Sequence, residues 1–589
     1  MKYLSSAGVR AEQPGKLLRR AAGMSRHLLW PAVGAFGVTA LATVARLLGP
    51  LVVGGGIDAG IDAGDKAAIT RAAVAYLGLL AVQYVAARWS QLAVATVGER
   101  FLKMLRSRLF GHLTRLDMGF YDEAKTGVLV SRMTSDIESM TEFVNEGAVL
   151  TLTNLLTAVG VAMAMVIVDP PLALGVFVVI AALIAVSVLF SRQVAEAYEQ
   201  VRERIGRVLA GLQEGITGVR VVQAFTQESA QASDFARTNE RYVEASMAAA
   251  WAISWYFPVV AFLRIVGIGL VLLLGGRRVV DGGLSFGDLV ALLLYVNWFF
   301  EPIINLANVY NLLQAALAAL GKVFSLLDRQ PAVSERPAAS DLSGPVVGEL
   351  VLDGVTFGYG DQPVLEEVSL RVPPGQRLAV VGETGAGKST IAKLLMRFYD
   401  PDRGRVTIDG NDLRDLTFAA RAGAITLIPQ DGFLFNGTLR ENLRYGKPDA
   451  TDREVWDVFR AMGIADWVES LPDGLDTDVQ ERGSRFSAGE RQLVALGRAL
   501  LADPGVVVLD EATSNLDPET EVRMEGALRV LLAGRSAVVI AHKLRSAERA
   551  DRVVMIDRGR VVADGTHDEL VATHPAYRYL VEVWERGKA

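Results

Sequence analysis

The alternation of apolar and polar positions changes character near residue 330. Before that point, long uncharged runs are separated by polar connections; after it, the apolar runs are short and bounded by turn residues. A run of about 20 apolar residues crosses the hydrocarbon layer of a bilayer, whereas soluble helices are shorter and striped. Six runs meet that length: 28–57, 72–97, 147–168, 171–191, 245–276 and 289–321. The first follows a basic stretch ending at Arg26 and exceeds the apolar core of a signal peptide, so it reads as a retained helix.

The connections are uneven. Segments 99–146 and 192–244 are long, helical in pattern and each hold seven Lys plus Arg, against two, none and two in the short connections. The positive-inside tendency puts the long connections and both termini in the cytosol, with the membrane helices continuing there as a stalk. Pro331, Pro337 and Pro345 then mark a linker. Beyond it, short strands alternate with helical patterns, as in a soluble α/β domain. The expected organisation is a cytosolic segment 1–26, an all-α six-helix transmembrane domain 27–327, a linker 328–345 and an α/β domain 346–589.

Composition narrows the chemistry. An apolar share of 51% with 21% charge suits an integral, multi-pass protein, here assigned to the plasma membrane. With 60 basic against 66 acidic residues, net −6, no basic surface invites nucleic acid. The absence of Cys removes disulfides, thiolate zinc sites, iron–sulfur clusters and cysteine nucleophiles, and the five His are too scattered for a metal motif. Within the spans, Arg46, Arg88, Arg264 and Glu301 read as snorkelling or helix-pairing charges. Arg264, mid-segment, is the best candidate for a substrate contact. Trp251, Trp255, Tyr256 and Phe257 read as an interfacial or packing belt.

The C-terminal half carries a phosphate-binding pattern. An apolar strand at 377–381 runs into Gly382-Glu383-Thr384-Gly385-Ala386-Gly387-Lys388-Ser389-Thr390, and a helix is expected over 391–398. This is GxxxxGK[ST] in its strand–loop–helix setting, the signature of a P-loop NTPase. Backbone N–H groups and a helix N-terminus would surround the β-phosphate, Lys388 would reach the β and γ phosphates, and the Ser389 hydroxyl would ligate Mg²⁺. A second apolar strand at 506–509 delivers Asp510, suited to metal coordination through water, and Glu511, suited to activating the attacking water.

At these residues the chain resembles an ATP-binding-cassette half-transporter of the six-helix exporter type, over essentially its whole length. Ser484-Arg-Phe-Ser-Ala-Gly-Glu-Arg-Gln492 resembles the signature LSGGQ, and Asp510 to Asp517 matches the metal–glutamate run with its D-loop. Gln430, after a strand at 424–428, stands at the Q-loop position, Tyr359 at the A-loop and His542 at the switch. The resemblance implies that Tyr359 faces adenine, Gln430 senses the metal and His542 contacts the γ-phosphate, with ATP and Mg²⁺ as cofactors. It also implies that two such chains pair head to tail, so that Ser487, Ala488, Gly489 and Glu490 act on a partner's ATP. Phe120-Tyr-Asp-Glu and Gly215-Ile-Thr-Gly lie where the family carries coupling helices, expected near Gln430 and near Asp478–Gly483.

Phe486, Ala488 and Glu490 depart from the signature, while the phosphate loop, Glu511 and His542 match. A methyl at Ala488 restricts backbone approach, and a carboxylate at Glu490 replaces an amide near an anion. A heterodimer is therefore favoured over a homodimer, with this chain supplying the catalytic Walker residues. The expected function is ATP-driven export of amphipathic, drug-like or lipid substrates by alternating access. The alternatives are siderophore import on the same scaffold, a soluble regulatory ATPase, and an ATP-gated channel.

Overall fold

The computed structural model describes residues 14–360, 362–510, 518–541 and 543–586. Contacts group the chain into two units: the chain up to Thr114 with Lys125–Arg329, and Arg115–Ala124 with the chain from Gln330 onward.

In the first unit three of the apolar runs lie on helices much longer than a bilayer requires. Lys66–Leu113 and Pro170–Thr217 each hold 48 residues, roughly 70 Å at the α-helical rise, against a hydrocarbon layer of about 30 Å. Each begins on an aspartate cap: Asp65 accepts from the Ala67 N–H, and Asp169 from Leu172 with Pro170 in the first turn. Seven stretches among the described residues are long and apolar enough to cross a membrane. The last two, Phe286–Ile303 and Val309–Leu327, belong to the single helix Phe286–Leu327, so six rods carry the spans. One buried core joins Val176, Ile180 and Leu183 to Tyr295, Val296 and Phe300. Where the first and last rods meet, a Cβ on Gly287 would lie 2.1 Å from the Gly54 carbonyl oxygen, and Asp58 Oδ1 accepts the Gly287 N–H at 2.6 Å. Paired glycines permit that backbone approach.

Among its described residues the second unit holds ten strands: β1 (Leu350–Tyr359), β2 (Gln362–Val372), β3 (Arg377–Val381), β4 (Arg403–Ile408), β5 (Asn411–Asp412), β6 (Ile425–Ile428), β7 (Val506–Asp510), β8 (Ser536–Ile540), β9 (Arg552–Asp557) and β10 (Arg560–Gly565). They form a four-stranded sheet in the order β2-β1-β4-β5 and a six-stranded sheet in the order β10-β9-β3-β8-β7-β6. The larger sheet is parallel from β9 to β6, with β10 antiparallel at its edge. Parallel strands covered on both faces are apolar throughout rather than alternating. In β7, Val506 and Val508 enter one core while Val507 and Leu509 enter another. In β3, Leu378 and Val380 face the first of these cores and Ala379 and Val381 a third.

Boundaries differ from the sequence reading in small, explicable ways. The helix after the phosphate loop runs Lys388–Leu395 rather than 391–398, because left-handed Gly387 starts it and Arg397, also at positive φ, follows its end. β6 begins at Ile425 because Ala424 closes the helix Phe418–Ala424. β7 extends by one residue to include Asp510.

Candidate functional site

Everything converges on the carboxyl ends of the parallel strands, where ligands of open α/β sheets bind. In register, β3 Val380 pairs with β8 Ile540, and Ile540 in turn with β7 Asp510. β6 Ile428 pairs with β7 Leu509. One edge therefore releases, side by side, the phosphate loop after β3, the segment toward position 542 after β8, Asp510 on β7, and Pro429-Gln430 after β6. Glu511, Asp517 and His542 lie outside the described residues.

The loop itself is shaped by its glycines. Gly382 has φ +149°, and a Cβ there would meet the Ile556 carbonyl oxygen at 2.1 Å. Gly387 has φ +105°, and its Cβ would lie 2.7 Å from Leu365 Cδ2. Only glycine combines these conformations with such close approach. Gly382, Ala386 and Gly387 are buried, whereas Glu383, Thr384 and Gly385 are exposed at the tip. Lys388 is buried, and its Nζ donates to the carbonyl oxygens of Gly382 at 2.7 Å and Glu383 at 2.8 Å. The lysine charge is thereby held over the loop, at the start of a helix whose N-terminus favours anions. The next residue, Ser389, is exposed, and Thr390 is buried.

Tyr359, at the end of β1, is 43% exposed and meets the rings of Phe357 and Tyr399 edge-on. Its hydroxyl lies 3.4 Å from Thr390 Oγ1, and Lys393 Nζ sits 5.4 Å from its ring centroid. The platform thus touches the helix that follows the phosphate loop.

Bonds the sequence did not reveal join this platform to the short helix that carries Phe120-Tyr-Asp-Glu. The short helix Met118–Glu123 buries Phe120, and Asp122 Oδ2 accepts from Lys393 Nζ at 2.7 Å and from the Tyr399 hydroxyl at 2.6 Å. Burial, the largest influence on Asp122, opposes its ionisation. The bonds from Lys393 and Tyr399, with the lysine charge, outweigh it and hold the carboxyl below its usual range. Burial also pushes the Tyr399 phenol up, and its bond to Asp122 adds to that. Among the described bonds of this short helix, those of Asp122 go to Lys393 and Tyr399. No local pattern announces a bond spanning 271 positions. The second connection's tip, Val219–Ala224, has no buried residue, and Ile216, Val221 and Phe225 beside it are exposed.

Gln430 is exposed, yet the backbone around it is anchored. Gln492, buried on the helix Ala488–Ala502, donates to the Pro429 carbonyl at 3.0 Å. A Cβ on Gly432 would lie 2.6 Å from the Arg491 carbonyl carbon. The loop after β6 therefore lies directly on the signature helix.

At that helix's N-terminus, Ser487 is the cap residue. Its hydroxyl accepts from the Glu490 N–H at 3.2 Å, while Glu490 Oε2 accepts from the Ser487 N–H at 2.7 Å, a reciprocal capping box. The other carboxylate oxygen, Oε1, accepts from Trp467 Nε1 at 2.9 Å, and Phe486 packs edge-on against the same indole at 5.6 Å. Ser487 and Ala488 are exposed and Gly489 buried. Both oxygens of the Glu490 carboxylate are thus turned onto groups of this chain. Trp467 carried no signal in sequence.

In the membrane unit, Arg46 pairs with Glu301 at 3.0 Å and lies 5.0 Å from the Trp298 ring centroid, as helix pairing requires. Arg88 and Arg264 are exposed on their helices. The aromatic cluster divides: Tyr256 is buried, stacked on Phe190 and 3.0 Å from the Ser187 hydroxyl, whereas Trp251 and Phe257 are exposed.

Comparison with known proteins agrees with this assembly. A family model described as ABC transporter transmembrane region matches residues 33–303, and one described as ABC transporter matches residues 365–514. An uncharacterised ABC transporter ATP-binding protein of Bacillus subtilis is 35% identical, over 92% of this chain and 90% of its own. A multidrug efflux ATP-binding/permease protein of Mycobacterium bovis is 36% identical over 92% of this chain and 45% of its own length. An ATP-dependent lipid A-core flippase of Syntrophus aciditrophicus is 33% identical over 82% and 80%. A solved bacterial Atm1-family ABC exporter with ATP bound superimposes with a TM-score of 0.77 at 27% identity, over 96% of this chain and 99% of its own. Membrane helices and ATP-binding domain on one polypeptide, with such relatives, place the chain in the ABC transporter family as an exporter-type half-transporter, an integral multi-pass membrane protein that couples ATP hydrolysis to transport.

Proposed function

We propose that this half-transporter exports amphipathic, drug-like or lipid compounds by alternating access, as the catalytic half of a heterodimer. The observation that carries the reading is the shared strand edge that presents the phosphate loop, Asp510 and Gln430 on a chain that also holds six membrane rods. The multidrug efflux and lipid flippase relatives supply the substrate class.

In this reading Lys388 and the loop amides hold the phosphates, Tyr359 stacks on adenine, and Glu511 activates water with His542 at the γ-phosphate. The Ser389 hydroxyl, the Gln430 amide and the Asp510 carboxylate are hard oxygen donors, which suits Mg²⁺ shared with phosphate. That ion would neutralise phosphate charge. Ser487 and Gly489 complete the partner's site. Two observations support assembly with a second chain: the exposed apolar tip at Ile216, Val221 and Phe225 in a polar connection, and the exposed Ser487 cap. The altered signature supports an unlike partner.

Inverted vesicles test direction: ATP added outside drives accumulation of an amphipathic dye inside, and Glu511→Gln abolishes it while ATP binding persists. Uptake by whole cells instead would establish import. Expression of the chain alone tests pairing, since vigorous Glu511-dependent hydrolysis by two copies would refute the heterodimer.

A further inference from the structure

We propose that Trp467 is a positioning residue for the signature helix, and that it makes the altered signature a competent phosphate-facing element. The inference rests on the reading of Ser487 and Gly489 as contacts to the partner's nucleotide.

A carboxylate beside an incoming γ-phosphate repels it unless its charge is satisfied elsewhere. Here both oxygens of Glu490 are occupied, Oε2 by the Ser487 N–H at 2.7 Å and Oε1 by the Trp467 indole at 2.9 Å. The negative charge therefore lies against the positive end of its own helix, where it is stabilised. The Ser487 hydroxyl accepts from the Glu490 N–H and keeps its own proton free to donate toward solvent. Phe486 is buried against the same ring, so two of the three departures from the signature share one tryptophan. Phe486 and Glu490 thus act as one packed unit built around Trp467, rather than as two separate losses.

Removing the indole N–H leaves one carboxylate oxygen without its protein donor beside the phosphate position. The reconstituted transporter, with the partner it purifies with, gives the test, read as the ATP concentration that half-saturates nucleotide photolabelling of the partner chain, whose site this signature faces. Trp467→Phe keeps the ring that Phe486 packs on and raises that concentration roughly three- to tenfold, as expected for a lost bond to a charged group. Combined with Glu490→Gln, it falls back to within about twofold of Glu490→Gln alone, because no unpaired charge remains. An equal defect in both backgrounds marks a merely structural tryptophan and overturns the proposal, as does an unchanged value in Trp467→Phe. Should that variant not assemble, Trp467→Leu, which also lacks a donor, carries the same expectation. Ser487→Arg separates the two layers. If it leaves the ATP dependence untouched, the phosphate-contact reading falls; if it acts while Trp467→Phe does not, only the role of Trp467 falls.

Discussion

A single methyl group at Gly382 would collide with another strand. Its Cβ would stand 2.1 Å from the Ile556 carbonyl oxygen on β9, and φ is +149°. Backbone cannot yield as a flexible side chain does, so Gly382→Ala forces β3 and β9 apart at the mouth of the phosphate loop. Gly385 is the internal control, with φ +87° and nothing within 4 Å of its Cβ. Gly385→Ala pays only the left-handed strain of about 1–2 kcal/mol. Gly382→Ala is expected to cost more than about 3 kcal/mol, in the range reserved for backbone or core disruption. Thermal unfolding of the purified protein ranks the two, and nucleotide binding should be lost in Gly382→Ala but only weakened in Gly385→Ala. Equal effects would show that conformation alone, not close approach, selects glycine at 382.

Between elements, the Asp122 tether joins Met118–Glu123 to the helix after the phosphate loop and to the adenine platform. Its side chain and that of Lys393 are about one-third exposed, 35% and 31%, so solvent screening keeps the pair near 1 kcal/mol or below. That is enough to bias coupling without governing folding. Asp122→Asn is expected to reduce substrate stimulation of ATP hydrolysis roughly threefold, and unaltered stimulation would discard the tether. The sign with pH follows from the depressed carboxyl. Its contribution is complete above the ordinary carboxylate range, near pH 4, and is lost as pH falls through the lower folded value. Wild type and Asp122→Asn should therefore differ by a constant amount from about pH 6 to 8. The elements on either side were legible because buried parallel strands such as β3 and β7 are unbroken apolar runs, and because the phosphate loop needs its glycines in fixed order. The tether and the Trp467–Glu490 bond were not legible. They join positions far apart in the chain through exposed or half-buried side chains, which leave no periodic trace. The capping box at Ser487 and Glu490 was present in sequence, but the family pattern drew attention to the charge rather than to its local partner.

For the whole molecule, orientation is an electrostatic question. Each long connection holds seven Lys plus Arg, and translocating such charge away from the cytosol is disfavoured during insertion. The helices that flank those connections, Lys66–Leu113 and Pro170–Thr217, run far past a single hydrocarbon thickness, so the surplus length is expected to emerge on the basic side. The short turns, among them the one at Asp281, then face the opposite compartment. The chain has no cysteine, so one introduced thiol reports its own side of the membrane. Asp281 lies exposed between Gly276–Val280 and Phe286–Leu327, and Glu228 lies exposed at the start of Glu228–Ser254. In intact cells an impermeant maleimide should label Asp281→Cys and spare Glu228→Cys, with both reacting after permeabilisation. The reverse pattern would place the ATP-binding domain, expected on the same side as the long connections, away from its ATP supply. The charge argument for a cytosolic position of the long connections would then fail.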